Sequence, residues 1–392
     1  MNHRHFPRIA PPGLLALFSV LLLSAGIVRA ELPAPELPAR AFILVDFATG
    51  AVLAEKNADE RLPPASLTKM MTTYIADQAL HDGAIKLNDM VPVSENAWRN
   101  SMHDGSRMFL DVGSRVSVED LLRGIIIQSG NDASVAMAEY LGGTEATFAA
   151  KMNQFAQKLG MANTQFRNAT GLTADGHYST ARDMATLSRA IIRDFPDTYP
   201  LYAEKEFRYN IGRPQQNRNL LLWQDPSVDG LKTGHTDAAG YCLAASAKRG
   251  DMRLVSVVLN TASEKARAEQ TLALLNWGFA NFETWVPYKA GSKLSDAVVW
   301  MGATDGVELG VDQDVALTIP RGSAAQLAAA VTIDPEIRAP LHKGERKGTL
   351  TIRLGDKVLL EQPLVALHDV EEGGIFKRLW HWLRLFFGGL FG

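Results

Sequence analysis

Apolar residues along the chain change their spacing several times, and each change predicts a different kind of element. Ala41–Asp46 is an almost unbroken apolar run that reads as a buried strand. Ala48-Thr49-Gly50 turns it toward a second strand over 51–55. From 65 to 190 the apolar positions recur every three or four residues, which predicts helices over 66–80, 118–128 and 133–141. After Gly230 the pattern changes: strands are predicted over 231–234, 240–247 and 253–260, with Lys248-Arg249-Gly250-Asp251 as the clearest turn. A helix over 262–279 follows. Strands, then many helices, then strands and a helix imply one sheet whose members are distant in sequence, an α+β arrangement. Beyond 285, short β-like stretches at 315–319, 329–333, 348–354 and 357–360 predict a smaller all-β unit.

The two ends differ from this body. Arg4 and Arg8 precede an apolar run from 14 to 28 and then Val28-Arg29-Ala30, the pattern of a secretory signal cleaved after Ala30. The run is short for a membrane span. At the other end, Phe376, Leu379, Trp380, Leu383, Phe386, Phe387 and Leu390 fall on one face of a helix over Ile375–Phe391. Lys377, Arg378, His381 and Arg384 lie mostly on the other side, which suits the boundary between acyl chains and headgroups. The alternative is a helix docked on its own domain. The expected divisions are 1–30 signal, 31–284 catalytic unit, 285–372 β-rich unit and 373–392 amphipathic membrane anchor.

Composition narrows the functional classes. With 392 residues, 46% hydrophobic and 21% charged, the chain is an ordinary globular one. A formal charge of −3 gives no reason to expect a nucleic-acid partner. Removing 1–30 takes away three arginines and no acid, so the mature body is more acidic still. The single cysteine, Cys242, cannot form an internal disulfide and reads as a buried packing residue. Nine histidines are scattered without metal-ligand spacing, and no phosphate-binding or dinucleotide-binding glycine motif occurs, so no metal or cofactor is expected. Carboxylates such as Asp175 and Asp183 show no spacing that singles them out as a glycosidase pair.

Three short motifs carry chemistry. Ser66-Leu67-Thr68-Lys69 opens a predicted helix, so hydroxyl and amine lie one turn apart on the same side. A neutral Lys69 can then take the Ser66 proton, which requires its pKa of about 10.4 to be lowered by burial or by a nearby cation, with Lys232 the candidate. Ser129-Gly130-Asn131 lies between helices. Ser129 can relay a proton to a leaving amine, and Asn131 can bond a substrate carbonyl or hold Lys69. Lys232-Thr233-Gly234-His235 sits on a predicted strand whose edge can pair with an extended peptide. Lys232 and Thr233 would meet a substrate carboxylate or the proton relay, Gly234 would permit close approach, and the His235 N–H would serve as an oxyanion donor.

S-x-x-K, S-x-N and K-T-G in this order are the signature set of serine penicillin-binding proteins and β-lactamases. The chain resembles the low-molecular-mass serine D-alanyl-D-alanine carboxypeptidases among them. Pro64-Ala65-Ser66-Leu67-Thr68-Lys69-Met70, Gln128-Ser129-Gly130-Asn131-Asp132 and Val228 to Thr236 carry the resemblance, which continues through Trp277-Gly278-Phe279 to the terminal helix. It implies a β-lactamase/transpeptidase-like domain with an antiparallel sheet and a helical cluster, an exported periplasmic enzyme, and peptidoglycan stem peptides as substrate. β-Lactams would be covalent inhibitors. The implied catalytic residues are Ser66 as nucleophile, Lys69 as base, Ser129 as relay and Lys232 as electrostatic partner. Thr233 would bind the terminal carboxylate with Arg218, and Arg267 matches another arginine near the site.

Two departures bear on turnover. No glutamate occurs between Gly160 and Arg182, where class A β-lactamases keep the one that activates water, so slow penicillin release is expected. Where several relatives carry a histidine, positions 169–172 read Ala-Thr-Gly-Leu. The competing readings are a DD-endopeptidase on crosslinks, a class-A-like β-lactamase, and a non-catalytic peptidoglycan-binding scaffold.

Overall fold

The computed structural model describes residues 33–99 and 105–391; the predicted signal segment, 1–30, lies outside the described residues. Five antiparallel strands form the central sheet: β1 (Ala41–Asp46), β2 (Val52–Lys56), β3 (Val228–Thr236), β4 (Gly240–Arg249) and β5 (Met252–Thr261). Their spatial order is β2-β1-β5-β4-β3, so the N-terminal hairpin pairs with strands some 200 residues later. This is the sequence-distant sheet that the pattern of elements implied.

β1 is buried along its whole length because both of its faces are covered. Ala41, Ile43 and Val45 face a helical cluster, while Phe42 and Leu44 face the opposite side. The cluster contains α1 (Lys69–His81), α2 (Val118–Ile126), α3 (Asn131–Gly142), α4 (Glu145–Lys158) and α5 (Ala181–Asp194). α6 (Glu264–Asn281) covers the other face through Ala268, Leu274, Leu275 and Phe279. Four of these helices start on Ser117, Thr144, Thr180 and Ser263, whose side chains accept a first-turn amide hydrogen. α1 has no such cap; a 3₁₀ turn, Ala65–Thr68, leads into it.

α6 runs directly into β6 (Phe282–Tyr288), which begins the β-rich part. That part contains β7 (Lys293–Val298), β8 (Gly306–Gly310), β9 (Val315–Pro320), β10 (Leu327–Ile333), β11 (Arg346–Leu354) and β12 (Lys357–Ala366). β6 pairs with β9, and the others form an antiparallel sheet in the order β7-β8-β12-β11-β10. The apolar pattern missed β6, β7 and β8. Their buried positions are few and interrupted, since two small cores are shared among all these strands.

α7 (Ile375–Phe391) docks on the β-rich part with its polar face. His381 Nδ1 accepts from the Met301 N–H at 2.8 Å, and Lys377 pairs with Asp305 at 2.7 Å. Arg384 lies over the Trp300 ring, and Arg378 pairs with Glu372. The apolar side chains Ile375, Phe376, Leu379 and Trp380 are exposed, Phe376 at 89%. The basic side chains therefore contact protein, a use of them that periodicity did not reveal. Among the described residues no helix is long and apolar enough to cross a membrane.

One buried carboxylate ties the sheet to the β-rich part. Asp46, at the end of β1, accepts from the Ala48 N–H at 2.8 Å and from the hydroxyls of Thr284 (2.6 Å) and Thr318 (2.9 Å). Asp46→Ala removes the acceptor that these part-buried donors share, leaving the Thr318 hydroxyl only Thr49, and is expected to lower unfolding free energy by about 1–2 kcal/mol in urea denaturation.

Candidate active site

Ser66 stands in the 3₁₀ turn before α1. Ala65 just before it has φ +47°, a left-handed conformation that is strained for a residue with a Cβ. Such local strain persists only where the surroundings over-determine it. They do so here from two sides. A Cβ at Gly234 on β3 would lie 3.1 Å from the Pro64 carbonyl oxygen and 3.2 Å from the Ser66 nitrogen. A Cβ at Gly171, whose φ is +85°, would lie 1.9 Å from the Ala65 carbonyl oxygen. Both glycines let neighbouring backbone press on the serine turn, so what Gly234 approaches most closely is the nucleophile's own segment.

Lys69 is fully buried one turn further on, its Nζ 3.1 Å from Ser66 Oγ. The same Nζ donates to Asn131 Oδ1 at 2.7 Å and to the Thr170 carbonyl at 2.6 Å. Both of those partners are acceptors without a proton to give in these contacts. A neutral Lys69 must therefore keep its two N–H bonds on them, which turns its lone pair toward the Ser66 hydroxyl. Burial, helped by the charge of Arg218, brings the Lys69 pKa down to about 7. Sequence reading named Lys232 as the candidate for this cationic help; Arg218 contributes it, and Lys232 and Lys69 disfavour each other's charged form. Lys232 is itself buried, with Nζ donating to the Thr233 carbonyl at 3.1 Å. Burial and then the Lys69 charge push its pKa well below the usual lysine value.

Ser129 precedes α3 with φ +59°, and its buried Oγ has no hydrogen-bond partner. A hydroxyl kept from water and left unpaired is unusual enough to mark a group awaiting a partner. A cleft of about 540 Å³ opens over Ser66, with Asn131, Thr170, Gly171, Arg218 and His235 in its walls. β3 is the edge strand of the sheet, as expected for a strand that pairs with an extended peptide. The His235 ring stacks on Tyr241 at 4.0 Å between centroids. Thr233 is buried behind the cleft wall. Arg267 does not line the cleft: it is buried, donates to the Arg218 carbonyl at 3.2 Å and lies over the Tyr241 ring. It holds the Arg218 backbone in place. Cys242 is buried, as its apolar neighbours implied.

Sequence reasoning missed the layer beneath this site. Thr170 entered it only as the neighbour of Ala169, where several relatives carry a histidine, yet its carbonyl fixes Lys69. Thr72 Oγ1 donates to the Ala169 carbonyl at 2.8 Å, and the Ala169 N–H donates to Glu145 at 3.1 Å. His177 accepts at Nδ1 from the Arg167 N–H, so its proton sits on Nε2 and is donated to Thr68 Oγ1 at 2.8 Å. Burial and the Arg167 charge bring His177 down to about 4, which keeps it neutral. Asp132 accepts from the Met108 and Leu110 N–H groups and secures the segment beside Gly105 and Ser106 in the cleft wall. Backbone acceptors and lone supporting side chains have no motif; only Thr68 and the Asn131-Asp132 pair stood within one.

Comparison with known proteins fits this geometry. Residues 28–263 match the family described as D-alanyl-D-alanine carboxypeptidase, and 282–372 match the penicillin-binding protein 5, C-terminal domain. D-alanyl-D-alanine carboxypeptidase DacC of Escherichia coli (strain K12) is 48% identical over 364 residues, 92% of this chain and 91% of that one. Penicillin-binding protein 5 from Haemophilus influenzae has a TM-score of 0.82 at 43% identity, covering 87% of this chain and 100% of that one. Penicillin-binding protein D2 from Listeria monocytogenes in the ampicillin-bound form has a TM-score of 0.57 at 31% identity, covering 63% of this chain and 100% of that one. The expected fold, a transpeptidase-like α+β domain followed by a β domain, is the one the two family matches and the Haemophilus structure support, whereas the Listeria protein corresponds to only 63% of this chain.

Lys69 can accept a proton only once it has lost its own. The rate at which a reactive acyl donor modifies Ser66 is therefore expected to be low in acid and to rise with a midpoint near pH 7. In Arg218→Gln the neighbouring cation is gone, and the same midpoint is expected at higher pH; stopped-flow acylation across pH 5–9 measures both.

Proposed function

The chain belongs to the D-alanyl-D-alanine carboxypeptidase family, and on that premise we propose that Ser66, Lys69, Ser129 and Lys232 carry out its reaction. The protein is a serine D-alanyl-D-alanine carboxypeptidase and a penicillin-binding protein. One observation carries the residue assignment: Lys69 Nζ is 3.1 Å from Ser66 Oγ while Asn131 and Thr170 occupy its other directions.

In the proposed mechanism, Ser66 Oγ attacks the carbonyl of the penultimate D-alanine as its proton passes to Lys69. Backbone N–H groups at the serine turn and on β3 stabilise the oxyanion. The proton then reaches the leaving amine through Ser129, whose unpaired hydroxyl suits it to the relay, and the terminal D-alanine departs. Arg218 and Thr233 hold the substrate carboxylate, and Lys232 contributes positive potential. Water then hydrolyses the Ser66 ester. A β-lactam presents the same kind of carbonyl, but its leaving amine stays tethered to the acyl group. The loop from 160 to 182 has no glutamate to activate water, which supports a long-lived penicilloyl ester.

In this reading residues 1–30 direct export, 31–284 form the catalytic unit, and 285–372 a β-rich spacer. α7 holds the enzyme on the outer face of the cytoplasmic membrane, a role supported by its outward apolar residues.

Mass spectrometry after incubation with benzylpenicillin is expected to find one covalent adduct. The adduct, and free D-alanine release from a pentapeptide, should be lost in Ser66→Ala; an adduct that persists in that variant would overturn the assignment. Truncation after Gly374 is expected to move the protein from the membrane pellet to the soluble fraction with its pentapeptide activity intact.

A further inference from the structure

A second cleft, of about 440 Å³, lies at the C-terminal end of α1, two helical turns beyond Lys69. Leu80, Ile85, Leu87, Phe195 and Pro196 give it apolar walls. Asp77 is set among them. It is 3% exposed, lines the cleft, and its Oδ1 is buried without a hydrogen-bond partner. The Thr198 hydroxyl in the same wall is also buried and unpaired. Nothing in the catalytic mechanism uses either group.

Buried polar atoms in native proteins are nearly always paired, and an uncompensated carboxylate is among the costlier exceptions. Burial pushes the Asp77 carboxyl up to about 7, and the nearby Thr198 hydroxyl offsets this only in part. An apolar pocket with a few convergent polar groups is the usual form of a small-molecule site. Charge defines the ligand further. The walls hold the carboxylates of Asp77, Asp194 and Asp197 against one lysine, Lys86, and the His81 ring. Asp194 is already engaged by Arg193 and by the Tyr74 hydroxyl, and Asp197 is exposed to water, so Asp77 is the buried carboxylate left for a ligand.

We propose that this cleft binds a small amphiphilic ammonium compound, with its apolar body against Leu80, Ile85, Leu87 and Phe195 and its ammonium group on the Asp77 carboxylate. A single ring on a short aminoalkyl chain fits the volume and reaches the carboxylate. The site is separate from the catalytic cleft, with which it shares no lining residue.

Titration calorimetry of the full-length mature protein with 2-phenylethylamine tests this. Saturable binding is expected, undisturbed by benzylpenicillin on Ser66, and about tenfold weaker for the uncharged analogue 2-phenylethanol. Asp77→Asn removes the charge at nearly constant shape and keeps an oxygen beside the Thr198 hydroxyl, so it is expected to melt close to wild type. Leu87→Lys places a cation on an exposed residue of the cleft wall, so it tests the site even if Asp77→Asn does not fold. Each variant is expected to weaken amine binding about tenfold or more while reacting with benzylpenicillin at the wild-type rate. The proposal is overturned if no saturable binding is found, if the alcohol binds as tightly as the amine, or if Leu87→Lys binds the amine like wild type.

Discussion

Burying the amine of Lys69 is the constraint on which the catalytic half of this protein depends. An exposed lysine would stay protonated at neutral pH and could not accept a proton from Ser66. The fold removes it from water by closing α1, the start of α3 and the 168–172 loop around one nitrogen. It then supplies an acceptor for each N–H of the neutral form, Asn131 from one side and Thr170 from the other. Arg218 adds positive potential without a direct hydrogen bond. The burial that lowers the basicity of Lys69 also aims its lone pair, so pKa and orientation have a common origin.

That arrangement in turn requires backbone to come very close to the serine turn. Gly234 admits β3 and Gly171 admits the loop, and side chains at either position would meet main-chain atoms that have no room to move. The loop is also bonded to α1 through Thr72 and to α4 through Glu145. Glu145 is therefore employed as a backbone acceptor beneath the loop.

Much of this was legible in the sequence where physics leaves a period or a spacing. β1, β3, β4 and β5, with α1, α2, α3 and α6, announce themselves because their buried faces are continuous; β2, with one buried residue, shows only through the turn before it, and α4 and α5 were not singled out. Ser66 and Lys69 announce themselves because a helical turn brings positions three apart together. The sequence-distant pairing of β1 with β5 could be inferred only in outline, since periodicity fixes which face is buried and not which strand lies beside it. Lys232 was identified as a site residue whose charge acts against that of Lys69, and the two buried amines do repel; the part of Arg218 in lowering Lys69 was not foreseen, since charge type is visible in a sequence whereas distance and desolvation are not. Arg267 shows the same limit. Its position suggested contact with substrate, and it instead lies under Arg218, one layer further in. Thr170, acting through a carbonyl that every residue possesses, left no trace at all.

The terminal helix shows how composition can identify an element and still mislead about its chemistry. Its cations and apolar stripe read together as a surface that combines attraction to anionic headgroups with burial in acyl chains. In the folded chain the cations are largely committed: Lys377 to Asp305, Arg378 to Glu372, and Arg384 to the face of Trp300. Their charges are offset or covered at the protein surface, so little electrostatic attraction is left for lipid. The exposed apolar residues are not so compensated. Phe376, Trp380 and their neighbours present several large side chains in one direction, and their burial in an interface would contribute roughly 25 cal/mol for each Å² removed from water. The membrane attachment proposed for α7 would on this geometry be a hydrophobic interaction, with the basic residues fixing the helix to the β-rich part so that its apolar face points outward.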